Sequence, residues 1–199
     1  MKFFKLMLLV IVWTTAGYVI SFVNRIYSAD KLSVRSADFL REGEYEKALS
    51  TANGSLELNS LEPSYYRTRA LVYLTVGVSE KDGAKKNIYK KSAYADLQRA
   101  LVLNPDNLVT ERNLVPVYYF LANEDPAAKP GVNNHDPEFI GEAKSYFQML
   151  KAKYSRDAGV ISLVAEYERK LGLTEEYEKS KEMVRILRPD LLEWYGSFN

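Results

Sequence analysis

The sequence predicts an all-α protein in which one membrane-spanning helix precedes a row of paired helices. Three observations support this prediction. Residues 6–23 form an uncharged run of 18 residues, about the length that a transmembrane helix needs. From residue 28 onward, apolar residues recur at steps of three and four with no sustained strand-like alternation, which is the helical pattern. Glycine, alanine and proline positions also recur at a spacing of 34 residues, which indicates an internal repeat.

The composition is that of a folded globular chain, and it excludes several classes of function. The chain has 199 residues, of which 47% are hydrophobic and 27% are charged. Its formal net charge of +1 gives no general attraction for polyanions, so we expect no nucleic-acid partner. The absence of cysteine excludes cysteine-ligated zinc sites, iron–sulfur clusters and thiol nucleophiles, and the single His135 excludes a multi-histidine metal site. We therefore expect neither a metal site nor a cofactor.

The N-terminal segment is predicted to anchor the chain. A short tail with two lysines, residues 1–5, precedes the uncharged run 6–23. At 1.5 Å per residue the run spans about 27 Å, close to the hydrocarbon thickness of a bilayer. The two sequences that resemble signal-peptide cleavage sites are weak. Residues 14–16 are followed by seven more uncharged residues, and residues 27–29 place a tyrosine where a small side chain is preferred.

The flanking charges give the expected orientation of this anchor. The two lysines of the tail favour a cytoplasmic N-terminus, although further basic residues follow the run between residues 25 and 35. The sequence therefore predicts a single-pass membrane protein. Its helical body, residues 28–199, is expected outside the cytoplasm, on the periplasmic or cell-surface side of a bacterial inner membrane.

The first helices of the predicted pairs share an aromatic residue and a glycine. Gly43 and Gly77 are 34 residues apart, and each follows an aromatic residue, Phe39 or Tyr73, by four positions. Glycine adopts the left-handed conformation after a helix at low cost, whereas residues with a Cβ do so at a higher cost. Both glycines are therefore predicted to end a helix.

The second helices share a spacing of small and bulky residues. Three segments have the pattern of a residue, a second four positions later and a third three positions after that: Ala48, Ala52 and Ser55; Ala93, Leu97 and Ala100; and Ala143, Phe147 and Leu150. These positions share one helical face, where alanine permits a neighbouring helix to approach closely.

Two segments break the 34-residue spacing. The distances from Ala48 to Ala93 and from Ala93 to Ala143 are 45 and 50 residues. The extra residues are assigned to 78–91 and 123–136, which are rich in turn formers and charge and are predicted to be inserted loops. Because each would occupy the turn inside a helix pair, the two are expected to be neighbours on one edge of the body.

A 34-residue helix–turn–helix with these positions resembles the tetratricopeptide repeat family. The segments FLREGEYEKALSTA, residues 39–52, and SAYADLQRALVLNPDN, residues 92–107, follow the family pattern most closely. The resemblance implies a solenoid of about four units, two of them with an inserted loop between first and second helices. The later units depart from the pattern, with Pro116 inside one helix, and residues 191–198 are predicted to form a closing helix.

The resemblance also implies where a partner would bind. In the family, one face of each first helix lines a concave groove, and in this sequence those positions are Arg41, Arg67, Leu71, Arg112 and Tyr119. Arginines of this kind bind carboxylates, and the apolar residues accept an apolar side chain, so an acidic and hydrophobic peptide segment is the expected ligand. The alternative is that the arginines are solvated or paired with neighbouring glutamates.

These expectations favour binding over catalysis. The predicted function is a membrane-anchored scaffold or adaptor that supports assembly of a membrane or envelope complex. One alternative is a fixed accessory subunit of one large membrane complex, with the inserts and the anchor as contacts. A remote alternative is an enzyme with chemistry in the inserts, which would need His135 or Asp136. Residues 133–136 offer several donors but lack the spaced acidic ligands of a calcium loop.

Overall fold

The protein is all-helical in a computed structural model that describes residues 2–124, 129 and 134–190. This part of the chain contains no strand beyond an isolated bridge between Asn123 and His135. The predicted closing helix at 191–198 lies outside the described residues. The helices are α1 (Lys2–Arg41), α2 (Tyr45–Leu58), α3 (Pro63–Ser79), α4 (Gly83–Leu103), α5 (Leu108–Leu121), α6 (Ile140–Lys153), α7 (Ala158–Lys170) and α8 (Thr174–Leu187).

The predicted anchor and the first helix of the body form one continuous helix. Helix α1 has 40 residues, which corresponds to a length of about 60 Å. An 18-residue window within Phe3–Arg41 has a mean hydropathy of 2.2, and no residue of this window is buried. Burial of α1 against the body begins at Ala29, which is fully buried. The N-terminal part of α1 is therefore a projecting apolar helix, long enough to cross a membrane or to serve as a signal sequence.

The helices of the body are stacked in chain order. The most extensive contacts join α1 with α2, α3 with α4 and α7 with α8. The second helix of each pair also contacts the first helix of the next pair, and α1, α3, α5 and α7 contact one another in succession. The odd-numbered helices therefore form one continuous layer.

The spacing of small and bulky residues correctly predicted the core. All nine positions of the three second-helix segments are buried, with exposures of 1% or less. The main core extends from Ala70 in α3 to Leu173, just before α8. A smaller cluster of Ala29, Leu56 and Tyr65 joins α1 to α2 and α3. Alanine at the helix contacts lets the backbones approach, and the bulky residues fill the space between them.

The two repeat glycines have different roles. Gly43 ends α1 with a φ of 77°, as predicted. The prediction for Gly77 is wrong, because this glycine is buried inside α3. A Cβ on Gly77 would lie 3.4 Å from the Cβ of Tyr89, an ordinary van der Waals contact, so this position packs directly against α4. Among the described residues, the other glycine with a positive φ is Gly172, at 71°. The sequence contains its signal, since Gly172 precedes Tyr177 by five residues, as Gly43 precedes Ala48.

The first predicted insert, 78–91, is not a loop. Helix α3 continues to Ser79 and α4 begins at Gly83, so most of the segment lengthens α4 to 21 residues. The Asp82 carboxylate caps α4 by accepting hydrogen bonds from the backbone N–H groups of Ala84 and Lys85, at 2.9 and 3.4 Å. This cap, followed by alanine and lysines, stabilises helix in a segment whose charge and glycine are typical of loops.

The second predicted insert, 123–136, is irregular where it is described. Its ends are held together by backbone hydrogen bonds from Glu124 N–H to the Asn134 carbonyl, 3.0 Å, and from Asp136 N–H to the Ala122 carbonyl, 2.8 Å. Helix α6 then begins at Ile140. The two described ends of the segment therefore lie side by side between α5 and α6.

We expect Gly43→Ala to destabilise the protein by about 1 kcal/mol, because alanine at this positive φ is strained. The matched control is Gly83→Ala, at the start of α4, where a Cβ would have no atom within 4 Å. That change should be neutral or stabilising, since alanine favours helix. Urea unfolding of the full chain in detergent micelles measures both. Equal effects of the two substitutions would contradict the assignment of Gly43 as the helix-ending residue.

Candidate functional site

Two shallow depressions lie side by side on the layer of odd-numbered helices. The first, of about 390 Å³, lies between α1 and α3. The second, of about 460 Å³, lies between the start of α3, the α4–α5 turn and α5. Ser64 and Arg67 line both, so the depressions form one surface, which we call the Arg67 groove.

Partly buried polar contacts hold α1 against α3 along the first depression. The Tyr65 hydroxyl donates to the Asp30 carboxylate, and the Ser33 and Thr68 hydroxyls lie 3.4 Å apart. Burial of the Tyr65 phenol, together with its bond to Asp30, raises its pKa. Tyr65 therefore stays neutral and forms a fixed floor for the first depression.

Arg67 is the chemically distinctive residue of the groove. Its side chain is half-buried, and it forms no hydrogen bond or ion pair within the described part of the chain. Burial lowers its pKa, while the charge of nearby Glu62 opposes that shift. The Glu62 carboxylate instead caps α3 by accepting from the backbone N–H of Ser64 at 3.1 Å. Because arginine stays protonated in proteins, the groove contains a cation with unused donors.

The neighbouring Arg69 fixes the orientation of Arg67. Arg69 makes two hydrogen bonds to the Asp96 carboxylate in α4, at 2.7 and 2.8 Å, and one to the Asn53 amide oxygen in α2, at 3.0 Å. The bonds to Asp96 raise the pKa of Arg69. Residues two apart on a helix are separated by about 200°, so this attachment places Arg67 on the opposite side of α3. Arg69 therefore attaches α3 to α2 and α4, and Arg67 faces the groove.

The predicted arginines at the ends of the groove differ from Arg67. Arg41 lines the first depression but is paired with Asp38 at 2.8 Å, and both side chains are largely exposed. Arg112 is exposed and lines neither depression, so its place in a binding groove stays a prediction. The rotation of α5 is set by buried Glu111, which binds Lys153 of α6 at 2.8 Å and also accepts from Tyr154. Helix α5 therefore presents other residues to the groove.

The predicted apolar groove residues belong to the core. Leu71 is half-buried against the main core. Tyr119 is 9% exposed, and its ring centre lies 5.5 Å from that of Tyr167 between α5 and α7. The apolar surface of the groove comes instead from Val34 and Val109, which are 64% and 66% exposed. The sequence pattern indicates Val34, because it precedes Ala37 by three residues and Arg41 by seven, positions that share one helical face.

A second polar cluster joins the two predicted inserts, which are neighbours as expected. Lys90 is 4% exposed, and its ammonium donates to the Asp136 carboxylate and to the carbonyls of Leu121 and Asn123, at 3.1 and 2.6 Å. Burial lowers the pKa of Lys90, and the bond to Asp136 opposes this effect. Lys86 also donates to the Glu124 carbonyl at 2.7 Å. The added turns of α4 therefore brace the second insert.

The residues that an enzyme in the inserts would need make structural contacts. His135 Nε2 lies 2.5 Å from the Leu171 carbonyl, at the end of α7. Asp136 binds Lys90 and accepts from the backbone N–H of Glu138 at 2.9 Å. Within the described residues, no group of three or more histidine or acidic side chains is arranged to hold a metal ion. Among the described residues of the insert, His135 and Asp136 are therefore engaged in contacts that hold it to the body.

Compared with known proteins, the chain matches no protein-family model and no curated protein. Three features bear on its function: the Arg67 groove, the projecting part of α1, and the insert edge, where Lys86 and Lys90 of α4 contact the second insert.

We expect Asp96→Ala to lower the free energy of unfolding by about 3 kcal/mol, because it leaves the Arg69 guanidinium without its carboxylate in a largely buried place. The control is Glu182→Ala, which removes the partner of Arg185 where both side chains are more than half exposed. That change should cost less than about 0.5 kcal/mol. Chemical denaturation in detergent compares the two. A small effect at Asp96 would show that this pair does not fix α3.

Proposed function

We propose that this protein is a membrane-anchored scaffold or adaptor with a tetratricopeptide-like body, and that it binds an acidic segment of a partner protein in the Arg67 groove. The observation that supports this most is Arg67 itself, which is half-buried, charged and without a protein acceptor in the described chain. A half-buried cation without an acceptor is stabilised when a carboxylate binds to it. Binding, and not catalysis, is the proposed activity.

The residues around Arg67 favour a particular ligand. Ser64, Thr110 and Asn113 place neutral polar groups around it in the second depression, and exposed Val34 and Val109 offer apolar contact on either side. Asp30 and Asp38, in the first depression, already accept from Tyr65 and Arg41. Their charges would repel a second carboxylate there. The acidic Glu62 also lines the second depression, where it caps α3. The groove therefore suits no more than one carboxylate, bound at Arg67 and flanked by neutral or apolar side chains.

The repeat spacing and the helix order support a tetratricopeptide-like body. The buried small and bulky residues recur in α2, α4 and α6, where the resemblance implies second helices. The groove is lined by α1, α3 and α5, where it implies first helices. A row of such pairs presents an extended concave surface that binds peptide segments.

The continuity of α1 supports a retained anchor. Cleavage after Ala29 would cut α1 at a fully buried residue, one that packs with Leu56 and Tyr65 in the smaller core cluster. The apolar residues before this point are uncovered, and a lipid bilayer is the environment that would cover them. The charges of the tail favour a body outside the cytoplasm.

The anchor is tested by membrane extraction. We expect the chain to stay in the membrane pellet after alkaline carbonate treatment, and peptides from residues 1–23 to be recovered from it by mass spectrometry. A mature chain that begins at Gly17 or Asp30 in the membrane-free fraction would contradict a retained anchor.

The groove is tested by site-specific crosslinking. Because the chain has no cysteine, an introduced cysteine is its single labelling site. Val109→Cys carries a benzophenone maleimide, and adducts formed in intact membranes are identified by mass spectrometry. We expect Arg67→Glu to reduce the adduct roughly tenfold to a hundredfold, since a shielded bond to a charged group contributes about 1.5–3 kcal/mol.

Arg112→Glu is the matched control for this experiment. It makes the same charge change on the next first helix, outside the groove, and should leave the adduct unchanged. Thermal unfolding should differ by only a few degrees among the three chains, because neither arginine is bonded to the rest of the described protein. An adduct that persists in Arg67→Glu would remove the groove as the binding site.

A second candidate function is a fixed accessory subunit that contacts a membrane complex through the insert edge. The braced cluster around Lys90 favours it, because a rigid edge with exposed Ile88 is suited to a permanent contact. A benzophenone at Ile88→Cys distinguishes the two. Adducts from Ile88 that survive both Arg67→Glu and extraction in high salt would support the subunit, and their absence would support the adaptor.

A further inference from the structure

We propose that the α2–α3 turn, residues 59–62, rests on the membrane and inserts Leu61 into the interfacial layer of lipid. This would give the body a second attachment beside α1. The inference depends on the proposed anchor, because without α1 in the bilayer there is no membrane beside this turn.

The turn folds back onto α1 at the level where the apolar run ends. A cleft of about 160 Å³ between them is lined by Phe22, Arg25 and Ile26 on one side and by residues 58–61 on the other. The Arg25 guanidinium donates to the Glu57 carbonyl at 3.1 Å, which attaches the end of α2 to α1. Phe22 belongs to the uncharged run 6–23, and Ile26 lies only about 5 Å beyond its last residue along the helix.

The turn presents an apolar side chain at this level. Leu61 is 72% exposed and Phe22 is 53% exposed, on the two sides of the same cleft. Leu61 is held in place, because its backbone N–H donates to the Asn59 amide oxygen at 3.1 Å and the Tyr66 hydroxyl donates to the Ser60 carbonyl at 3.1 Å. The backbone of the turn is therefore held so that it presents Leu61 to the surroundings, and the leucine side chain gains from transfer out of water.

The polar residues nearby suit the headgroup region. Arg25 lies on the cleft, and the exposed Tyr27 has the Lys31 ammonium 5.5 Å from its ring centre. Tyrosine and basic side chains at the end of an apolar helix are typical of the membrane–water boundary. Lipid is favoured over a second protein as the occupant, because the surface is continuous with the part of α1 that the bilayer would surround.

This attachment would place the Arg67 groove close to the membrane. Asp30, which lines the first depression, lies seven residues after Val23, or about 10 Å along α1. With a second point of contact, the body could not swing away from the surface. Partner segments would therefore be bound a short distance from the lipid.

The experiment uses single cysteines carrying a nitroxide spin label, in the full chain reconstituted into nanodiscs of phosphatidylcholine and phosphatidylglycerol. The label positions are Ser60→Cys beside Leu61, Phe22→Cys in the proposed anchor, and Ile186→Cys on α8, which is 70% exposed and distant from α1 in sequence. Collision rates with oxygen, which concentrates in lipid, and with a water-soluble nickel chelate report the surroundings of each label.

We expect the ratio of oxygen to nickel collisions at residues 22 and 60 to exceed that at residue 186 several-fold. Adding Leu61→Asp to the Ser60→Cys chain should lower its ratio several-fold, because an aspartate leaves the interface, while the same substitution leaves the ratio at residue 22 unchanged. Circular dichroism checks that each labelled chain retains its helix content.

The other outcomes separate the two proposals. A lipid environment at residue 22 with a watery one at residue 60 would overturn the second attachment and leave the anchor intact. Low collision rates with both reagents at residue 60 would show that protein covers the turn, and would overturn it too. A watery environment at residue 22 would remove the anchor itself.

Discussion

The two hydrogen bonds between Arg69 and Asp96 are the interaction on which the groove depends. They tie α3 to α4, and the third bond from Arg69 to Asn53 ties the same helix to α2. With Arg69 held on this side, Arg67 is turned about 200° away, toward α1 and α5. If α3 rotated by even one residue, the cation would leave the groove. The bonds from Arg69 to Asp96 therefore determine that the Arg67 side chain faces the groove.

Buried ion pairs fix the rotation of the later helices in the same way. Glu111 of α5 binds Lys153, and Glu168 of α7 binds Lys151 of α6 at 2.6 Å and Ser180 of α8 at 2.6 Å. Such pairs contribute little net stability over apolar residues, but an unpaired member is costly, so each allows only one rotation of its helix. At the other end of the protein, α1 enters the body without a break. The proposed anchor and the groove therefore share one rigid helix.

The sequence predicted the elements of the fold better than the surface that they present. The core positions of α2, α4 and α6 follow from spacing alone, because alanine and leucine at those steps define a buried face. The helix at residues 83–91 was missed, because the charge and glycine of this segment are typical of loops. The one local signal for helix is the capping residue Asp82. Arg67 lines both depressions, whereas Arg112 lines neither and Tyr119 is buried in the core. Helix rotation depends on pairs such as Glu111 with Lys153, which are 42 residues apart and leave no local pattern.

The central claim is that Arg67 binds a carboxylate of a partner protein. Its most direct test is a double-mutant cycle between Arg67 and the acidic residue of the partner that crosslinks beside Val109, with each residue replaced alone and together and the affinities measured in detergent. The proposed bond predicts a coupling free energy of about 1.5 kcal/mol or more, because the two charges meet in a shielded groove. A coupling indistinguishable from zero would contradict it.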